Sequence, residues 1–378
     1  MKPIRILALI VCACFVSVTW GQPASKCANN WSEFHRANMK RWNTCEKVLN
    51  VHDVGNLALK WSYPAGNEVF SSPAVANGVA YVGSWDNSVY ALNASTGALL
   101  WSYPTGNEVS SSPAVANAVV YVGSLDGNVY ALKASSGAKL WSYSTGGEVS
   151  SSPAEANGVV YVGSLDGNVY ALKASSGAKL WSYSTGGEVS SSPAVAGGVV
   201  YVASFDGNTY ALKASTGALL WSSHTSYVYS SPAVANGVVY VGSWDNNVYA
   251  LKASTGALLW SYGTSGEVYS SPAVANGVVY VGSWDNNMYA LKASTGTLLW
   301  SYKTGGELGT SPAVANGVVY LGSDDHNVYA LNAHSGALLW SFPTGSWVES
   351  SPAVANGVVI VGSDDGTLYA FGLKQGQE

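Results

Sequence analysis

A repeat of 40 residues is the feature that most constrains what this chain can fold into. Tryptophan recurs in phase eight times, with a single interval of 39, at Trp61, Trp101, Trp141, Trp181, Trp221, Trp260, Trp300 and Trp340. A proline keeps step with each tryptophan, from Pro73 to Pro352. A period of this length indicates a solenoid or a propeller, because each copy is one supersecondary unit that buries its apolar surface against its neighbours.

Each copy of the repeat predicts a four-stranded antiparallel meander. In the second copy the apolar runs "VVYV", "VYAL" and "AKLWSY" are separated by Asp126-Gly127 and by Ser135-Ser136-Gly137. Asp-Gly suits a two-residue hairpin, and the runs are too short for helices and rich in β-branched and aromatic residues. The run that opens the copy, "VSSSPAVA", holds a proline, which belongs in an edge strand.

The two edges of a copy differ in size, and this difference predicts a closed ring. Small residues on the first strand and tryptophan on the last make a wedge, and eight wedges close into a propeller with the small strands at the axis. The chain starts its repeats with a fourth-strand sequence, "LALKWSY" at 57–63, and stops after a third-strand sequence, "TLYAFGLK". We therefore predict an all-β, eight-bladed propeller over residues 55–378, whose N-terminal strand completes the last blade.

The repeat resembles a known family. "ALNASTGALLW" at 91–101 and its copies are similar to the tryptophan-docking repeat of PQQ-like (pyrroloquinoline-quinone-like) eight-bladed propellers. That family includes quinoprotein dehydrogenases and a lipoprotein that scaffolds outer-membrane protein assembly. The resemblance implies that the repeated tryptophan packs between neighbouring blades. The family's aspartate position is occupied here by other residues, so the bond it makes is expected to be replaced or lost: Asn93, Lys133, Lys173, Lys213, Lys252, Lys292, Asn332 and Gly372.

The first 21 residues have the pattern of a cleaved secretory signal. Lys2 and Arg5 precede an apolar run from Ile6 to about Trp20, and small and polar residues follow. A membrane anchor and a lipoprotein modified at Cys14 are the alternatives that the sequence leaves open. We expect a secreted or periplasmic protein, with association with the outer membrane also left open.

Residues 22–54 form an N-terminal extension with two cysteines, Cys27 and Cys45. In an exported protein these two most simply form one disulfide. A metal site that adds His35 is the alternative, although the spacing does not match a CxxC pair.

Charge is distributed unevenly along the chain. Residues 1–54 carry seven Lys or Arg against three acids, a net charge of +4, whereas the remainder carries ten Lys, no Arg and nineteen acids, a net charge of −9. Phosphate neutralisation and base readout depend on clustered Arg and Lys. We therefore expect no nucleic-acid partner.

The motifs do not predict catalysis. The resemblance implies that quinoprotein dehydrogenases hold the quinone between a Trp and a ring formed by two adjacent cysteines, with calcium nearby, and no adjacent cysteines remain after residue 21. The stretches "SDDHN" at 323–327 and "SDDGT" at 363–367 resemble cation loops but lack alternating oxygen ligands, so we interpret them as turn aspartates. We predict no catalytic residues, no metal site, and neither PQQ nor calcium; a PQQ-dependent alcohol dehydrogenase is an alternative.

Chain direction assigns the loops to two faces. The second hairpin of each copy and the link to the next copy share one face, here called the top, and the first and third hairpins share the other, the bottom. The bottom carries a row of lysines that we interpret as a solvated rim. The top varies between copies and gives the candidate binding residues: Trp85, Phe205, Tyr227, Tyr229, Trp244, Tyr269, Trp284 and Trp347. Because aromatic side chains dominate interface hot spots, we predict that a protein partner binds there, with a carbohydrate ligand as an alternative. We expect the protein to be a monomer.

Overall fold

The computed structural model describes residues 30–34 and 40–374. They form eight blades of four antiparallel strands each in a closed propeller, as the sequence predicts, and a short strand of the N-terminal extension adds to blade 7. The predicted signal at 1–21 lies outside the described residues. Within residues 30–34 and 40–374, no helix is long and apolar enough to cross a membrane.

The strands are numbered 1 to 4 in each blade from the axis outward. Blades 1 to 4 consist of Ala74–Ala76, Val79–Ser84, Ser88–Asn93 and Leu99–Pro104; Ala114–Ala116, Val119–Gly123, Asn128–Lys133 and Lys139–Ser144; Ala154–Ala156, Val159–Gly163, Asn168–Lys173 and Lys179–Ser184; Ala194–Ala196, Val199–Ala203, Asn208–Lys213 and Leu219–His224. Blades 5 to 8 consist of Ala233–Ala235, Val238–Gly242, Asn247–Lys252 and Leu258–Gly263; Ala273–Ala275, Val278–Gly282, Asn287–Lys292 and Leu298–Lys303; Ala313–Ala315, Val318–Gly322, Asn327–Asn332 and Leu338–Pro343; Ala353–Ala355, Val358–Ser363, Thr367–Leu373 and Leu57–Pro64.

The last blade closes the ring with the N-terminal strand, as predicted. Leu57–Pro64 pairs antiparallel with Thr367–Leu373, with Leu57 opposite Leu373 and Pro64 opposite Thr367. The N-terminal strand thus gives the last blade its fourth strand and joins the two ends of the propeller within one sheet.

The repeated tryptophans dock neighbouring blades together. Each indole Nε1 donates to a backbone carbonyl of the next blade at 2.8–3.1 Å, for example Trp181 to Ala214 O at 2.9 Å. The ring of Trp181 lies over Gly217, where a Cβ would approach within 2.7 Å of the ring. The glycine of the Thr-Gly pair is therefore required by the approach of the tryptophan as well as by its φ of +71°.

At the position where the resembled family has aspartate, some copies keep a side-chain hydrogen-bond acceptor and others lose it. Asn93 keeps a side-chain acceptor, because its Oδ1 receives the backbone N–H groups of Ser95 at 3.0 Å and Thr96 at 3.1 Å. In the five lysine copies that acceptor is lost, since an ammonium group can only donate. Docking there depends on the indole hydrogen bond and ring packing.

A closed circle of serine hydrogen bonds surrounds the axis. The backbone N–H of Ser72 donates to Ser112 Oγ at 2.9 Å, the same contact repeats from blade to blade, and Ser351 N returns to Ser72 Oγ at 3.0 Å. These serines precede the prolines of the first strands. They hold the small inner strands to one another, where too few apolar side chains are available to do so.

The N-terminal extension runs along the inner strands rather than forming a separate unit. Trp31 pairs with Val75 of blade 1, and the two-residue strand Trp42–Asn43 pairs in parallel with Val314 and Ala315 of blade 7. The buried Arg41 guanidinium donates to the carbonyls of Pro312, Ser311 and Pro352. The extension ends in a 3-10 turn, Val54–Asn56, immediately before the closing strand. It therefore provides hydrogen-bond partners inside the axial channel.

The structure describes only one of the two cysteines of the predicted disulfide. Cys45 is disulfide-bonded. Cys27, its predicted partner, and His35 lie outside the described residues, so the Cys27–Cys45 pairing stays a prediction.

Candidate binding face

The top face is built on the turn aspartates of the second hairpins. Asp126 Oδ2 accepts the Tyr130 hydroxyl at 2.6 Å and the backbone N–H of Gly106, in the preceding link, at 2.8 Å. Burial acts to raise the pKa of Asp126, but hydrogen bonds from Tyr130, Asn128 and Gly106 together hold it below its usual value. The same contacts recur at Asp166, Asp325 and other turns. They fix each hairpin to the link beside it and give the side chains between them a rigid support.

Five of the eight predicted binding residues meet in one group, here called the aromatic arc: Phe205, Tyr229, Trp244, Tyr269 and Trp284. It extends over blades 4 to 6 without a break. Phe205 lies 4.3 Å from Tyr229, ring centroid to ring centroid, and Tyr229 stacks on Trp244 at 4.8 Å and on Tyr269 at 4.6 Å. Tyr269 in turn stacks on Trp284 at 4.2 Å with an interplanar angle of 10°.

The other three predicted residues lie apart from the aromatic arc. Trp85, in blade 1, stacks on Phe70 at 4.3 Å and donates its indole N–H to Ser110 Oγ at 2.8 Å, so its ring is held by its own neighbours. Tyr227 and Trp347 occupy the link position where the other links carry glutamate, and they are 60% and 51% exposed. These two project from the face as isolated rings.

The link "WSSHTSYVYSSP", residues 221–232, is one residue shorter than the others and contributes the centre of the arc. Its Tyr229 contacts three other rings of the arc, whereas the equivalent residues of the preceding links are Ser110, Ser150 and Ser190. Thr209 stands where the other blades have Val, Met or Leu, and its hydroxyl lies buried 2.9 Å from that of Thr225 in the link. The shortened copy therefore differs in its interior as well as on its surface.

A second group on the top face is acidic and is called the acidic arc: Glu68, Glu307, Asp324, Glu349 and Asp364. It spans blades 7 and 8 and the links on either side. Burial and mutual repulsion raise the pKa of Glu349 to about 8, of Asp364 to about 7 and of Asp324 to about 6. A pocket of about 250 Å³ lies at its edge, lined by Glu68 and Asp364 among others.

The paired aspartates of the two "SDD" sequences have different environments. Asp325 and Asp365 are the turn aspartates, and each accepts a tyrosine hydroxyl and a link N–H. Asp324 and Asp364 occupy the position of Trp244 and Trp284 in other blades, and the Oδ1 atom of each is buried without a hydrogen-bond partner. Both members of each pair lie in the hairpin turn, as the sequence predicts. The sequence does not show that burial and neighbouring carboxylates raise the pKa of Asp324 and Asp364.

Carboxylates also border the aromatic arc. Burial and the charge of Glu188 raise the pKa of Tyr229, and burial together with Tyr229, Glu267 and Glu349 raises that of Tyr269. Glu349 contributes to both arcs. Glu349 therefore links the two arcs, and three carboxylates act electrostatically on the stacked tyrosines.

The residues of this face do not fit a bound quinone of the PQQ type. PQQ is a flat tricarboxylate, so its site needs a gap between rings and cationic partners. The arc rings stack on one another at 4.2–4.8 Å, and the charged groups that act on the arc tyrosines are the carboxylates Glu188, Glu267 and Glu349. Among the described residues, no group of three or more His, Cys, Asp or Glu side chains is placed to hold a metal ion.

The acidic arc predicts a specific pH dependence of stability. Glu349 binds its proton more tightly in the folded chain than in the unfolded chain. The stability that this proton contributes is fully present below pH 4.5 and is lost as the pH rises through about 8. Glu349→Gln removes one repelling charge. The variant should be about as stable as the wild type at pH 5 and roughly 1–2 kcal/mol more stable at pH 8.5, after allowance for partial exposure to solvent.

Equilibrium unfolding by urea at the two pH values measures this difference. Glu148→Gln is the matched control, because Glu148 occupies a link outside the acidic arc, and it should give no pH-dependent gain. A gain of the same size for both variants would assign the effect to overall charge rather than to the arc.

Comparison with known proteins supports the fold from two directions. A family profile described as "Beta-alanine-activating enzyme, beta-propeller" matches residues 92–277, and one described as "Outer membrane protein assembly factor BamB" matches residues 304–378. No curated protein sequence matches the chain significantly.

Solved structures similar to this chain are propellers of different origins. BamB from Moraxella catarrhalis is 20% identical with a TM-score of 0.74, over 84% of this chain and 100% of that chain. Quinohemoprotein alcohol dehydrogenase from Comamonas testosteroni is 17% identical with a TM-score of 0.80, over 92% and 81%. The computationally designed Ika8 protein is 21% identical with a TM-score of 0.76, over 83% and 99%.

These likenesses agree with the docking tryptophans, the four-stranded blades and the closing strand. At identities near 20% they establish the fold and leave the function to the chain's own residues. The chain is an eight-bladed β-propeller whose repeats resemble the tryptophan-docking repeats of PQQ-like propellers.

Proposed function

We propose that this chain is an exported, non-enzymatic binding protein that recognises a polypeptide partner through its top face. The observation that carries the proposal is the aromatic arc: five rings in continuous contact, supplied by three blades that otherwise repeat one sequence. Trp244 remains 36% exposed although it is stacked on one side, so it offers a ring face to a ligand. Large rings of this kind supply contact area at low entropic cost.

The charge around the aromatic arc narrows the chemistry of the partner. Glu188, Glu267 and Glu349 lie close enough to shift the pKa of arc tyrosines, and the acidic arc continues beyond them. A segment that carries aromatic or aliphatic side chains together with Lys or Arg would match both features, because a cation gains from the ring faces and from the carboxylates.

The proposed location and role are consistent with the fold likeness to BamB, an outer membrane protein assembly factor. A scaffold role at the periplasmic side of an outer membrane is the form of the proposal that this likeness supports. It also requires the secretory signal predicted at residues 1–21. We propose a monomer, in which both faces of the propeller remain available.

A peptide selection with a counter-selection tests the proposal. A displayed library of random peptides is selected on the wild-type chain and then depleted on the Trp244→Ala, Trp284→Ala double variant. We expect the surviving peptides to combine aromatic and basic residues and to bind the double variant at least tenfold more weakly. Replacing two aromatic contact residues by alanine commonly weakens binding by this much in alanine scans of interfaces.

Trp85→Ala is the matched control, because Trp85 occupies the same hairpin position in a blade outside the aromatic arc. It should retain peptide binding. Recovery of no arc-dependent peptide would contradict the proposal, and glycan-array binding that disappears in the double variant would assign the arc to carbohydrate instead. Saturable fluorescence quenching by PQQ with Ca²⁺ would favour the dehydrogenase alternative.

A further inference from the structure

The bottom face carries a ring of exposed leucines that the top-face function does not use. Six of them occupy the same position, one residue before the docking tryptophan, and are exposed by 50–53%: Leu100, Leu140, Leu180, Leu220, Leu259 and Leu299. Further leucines one position earlier are exposed to a similar extent, such as Leu258 at 57%. Exposed aliphatic residues repeated around a whole face are unusual, since soluble monomers rarely expose large contiguous apolar areas.

A β-bulge places these leucines outside the blade. In blade 3, Leu172 is opposite Lys179 and Ala171 is opposite Trp181, so that Leu180 is the extra residue between them. The bulge leaves the leucine without a partner in the adjacent strand and directs the tryptophan inward. The exposure therefore follows from the repeat itself and recurs in each blade that has the bulge.

The leucines lie beside the loops of the bottom face. Leu140 lines a groove of about 560 Å³ together with Asn157 and Lys173 of the next blade's bottom hairpins. Leu180 lines the equivalent groove with Gly198 and Lys213. Each groove thus combines an aliphatic side chain from one blade with a lysine from its neighbour.

Charge is segregated between the two faces. Between residues 55 and 374, seventeen of the eighteen acids lie on links or second hairpins at the top, and Glu155 is the exception. Nine of the ten lysines in the same range lie at the bottom ends of strands, and Lys303 is the exception. The extension adds the exposed Lys47 and Val48 near the bottom hairpin at Gly357. The bottom is therefore basic and apolar although the chain as a whole is acidic.

We propose that the bottom face docks on an anionic lipid surface. Lysines near such a surface are attracted by its potential, and aliphatic side chains gain by entering the interface between headgroups and acyl chains. The distribution over six consecutive blades favours a planar occupant, because a protein partner of ordinary size would engage only a few blades. Docking in this orientation directs the acidic top face away from the lipid and leaves it free for its own partner.

Vesicle co-sedimentation of the purified mature chain tests the proposal. The probes are vesicles of phosphatidylglycerol and phosphatidylcholine in equal parts, and vesicles of phosphatidylcholine alone. We expect binding to the first and not to the second. The apparent affinity should fall at least tenfold in the triple variant Lys173→Gln, Lys213→Gln, Lys252→Gln, and also in the triple variant Leu180→Ser, Leu220→Ser, Leu259→Ser.

Two controls separate lipid docking from other causes. Glu148→Gln, Glu188→Gln, Glu267→Gln changes three top-face charges and should retain vesicle binding, and Lys303→Gln removes a lysine from the top without effect. Thermal unfolding of every variant shows whether the fold is intact. Because the substituted side chains are exposed, apart from the half-buried Glu267, a well-folded variant is expected in each case.

Three results would overturn the proposal. The first is the absence of binding to the anionic vesicles. The second is a leucine variant that binds them as the wild type does, since this would reduce the interaction to non-specific charge. The third is head-to-tail association of copies, acidic top to basic bottom, detected by sedimentation without lipid and abolished by the bottom-face variants.

Discussion

Replacing Trp181 by alanine is expected to lower the free energy of unfolding by roughly 3–5 kcal/mol. The indole is 9% exposed, donates to Ala214 O at 2.9 Å and lies on Gly217 of the next blade. Tyr161 packs against it at 5.8 Å. Alanine would leave a cavity between blades 3 and 4 and would remove the indole hydrogen bond to Ala214 O, which keeps only the Tyr161 hydroxyl at 3.2 Å as donor. Packing and one hydrogen bond are therefore lost at one interface.

Trp181→Phe separates these two contributions. Phenylalanine keeps an aromatic ring over Gly217 but has no N–H, so we expect a loss of about 1 kcal/mol plus a smaller packing term. Equilibrium unfolding in guanidinium chloride, followed by tryptophan fluorescence and circular dichroism, provides the measurement. A change of less than about 1 kcal/mol for the alanine variant would show that docking tryptophans do not hold the blades together.

The repeat made the fold predictable because each copy carries the same sequence signals for strands and turns. Trp, Pro and the Asn-Gly or Asp-Gly turns are in phase, and the positions that the sequence assigns to hairpins are hairpins in the structure. The closing strand could be predicted from the complementary ends of the repeat region. Such agreement of turn chemistry, strand pattern and edge sizes is what identifies a single fold.

The centre of the ring was less predictable, because its contacts join residues far apart in sequence. The serines before each proline gave no pattern beyond small size, yet they form a closed circle of hydrogen bonds. The extension at 30–34 and 40–56 contains no repeat, and its pairing with inner strands depends on backbone groups that are free inside the channel. A repeat pattern in the sequence cannot reveal an interaction that occurs at only one place in the chain.

The candidate site was partly predictable for a related reason. Departures from the repeat identified Tyr229, Tyr269 and the tryptophans, and five of the eight candidates meet in the aromatic arc. The separation of Trp85 from that arc depends on its partner Phe70, which the sequence alone does not place in contact. The acidic arc needed geometry as well, since Glu349, Asp324 and Asp364 come from different elements and repel one another only once folded.

A glycine of the second strand is the other position where a small change should have a large effect. Gly163 faces the link to blade 4, and a Cβ on it would lie 2.5 Å from both Cγ1 and the carbonyl oxygen of Val189. Rotating the valine could relieve the first contact, but the second involves backbone. Gly163→Ala should therefore lower the free energy of unfolding by roughly 3 kcal/mol, at the upper end of the range for overpacking.

The chain contains its own control for this prediction. Blade 4 has Ala203 where the other seven blades have glycine, and its methyl packs against Val228 in the link that is one residue shorter. In the other seven blades the link donates a backbone N–H to the serine after this position, as Val189 N does to Ser164 O at 3.1 Å; among the described residues, blade 4 has no such bond between Val228 and Ser204. The shorter link thus follows a different path and accommodates the methyl group.

This difference makes the second prediction specific to position. Ala203→Gly should cost about 1 kcal/mol or less, from the entropy of glycine and a lost methyl contact, whereas Gly163→Ala should cost several times more. Urea unfolding of both variants under one condition provides the comparison. Equal and small effects would mean that the link at Val189 moves to make room for a methyl group as easily as the link at Val228 does. The shorter link would then not be required for a side chain at this position.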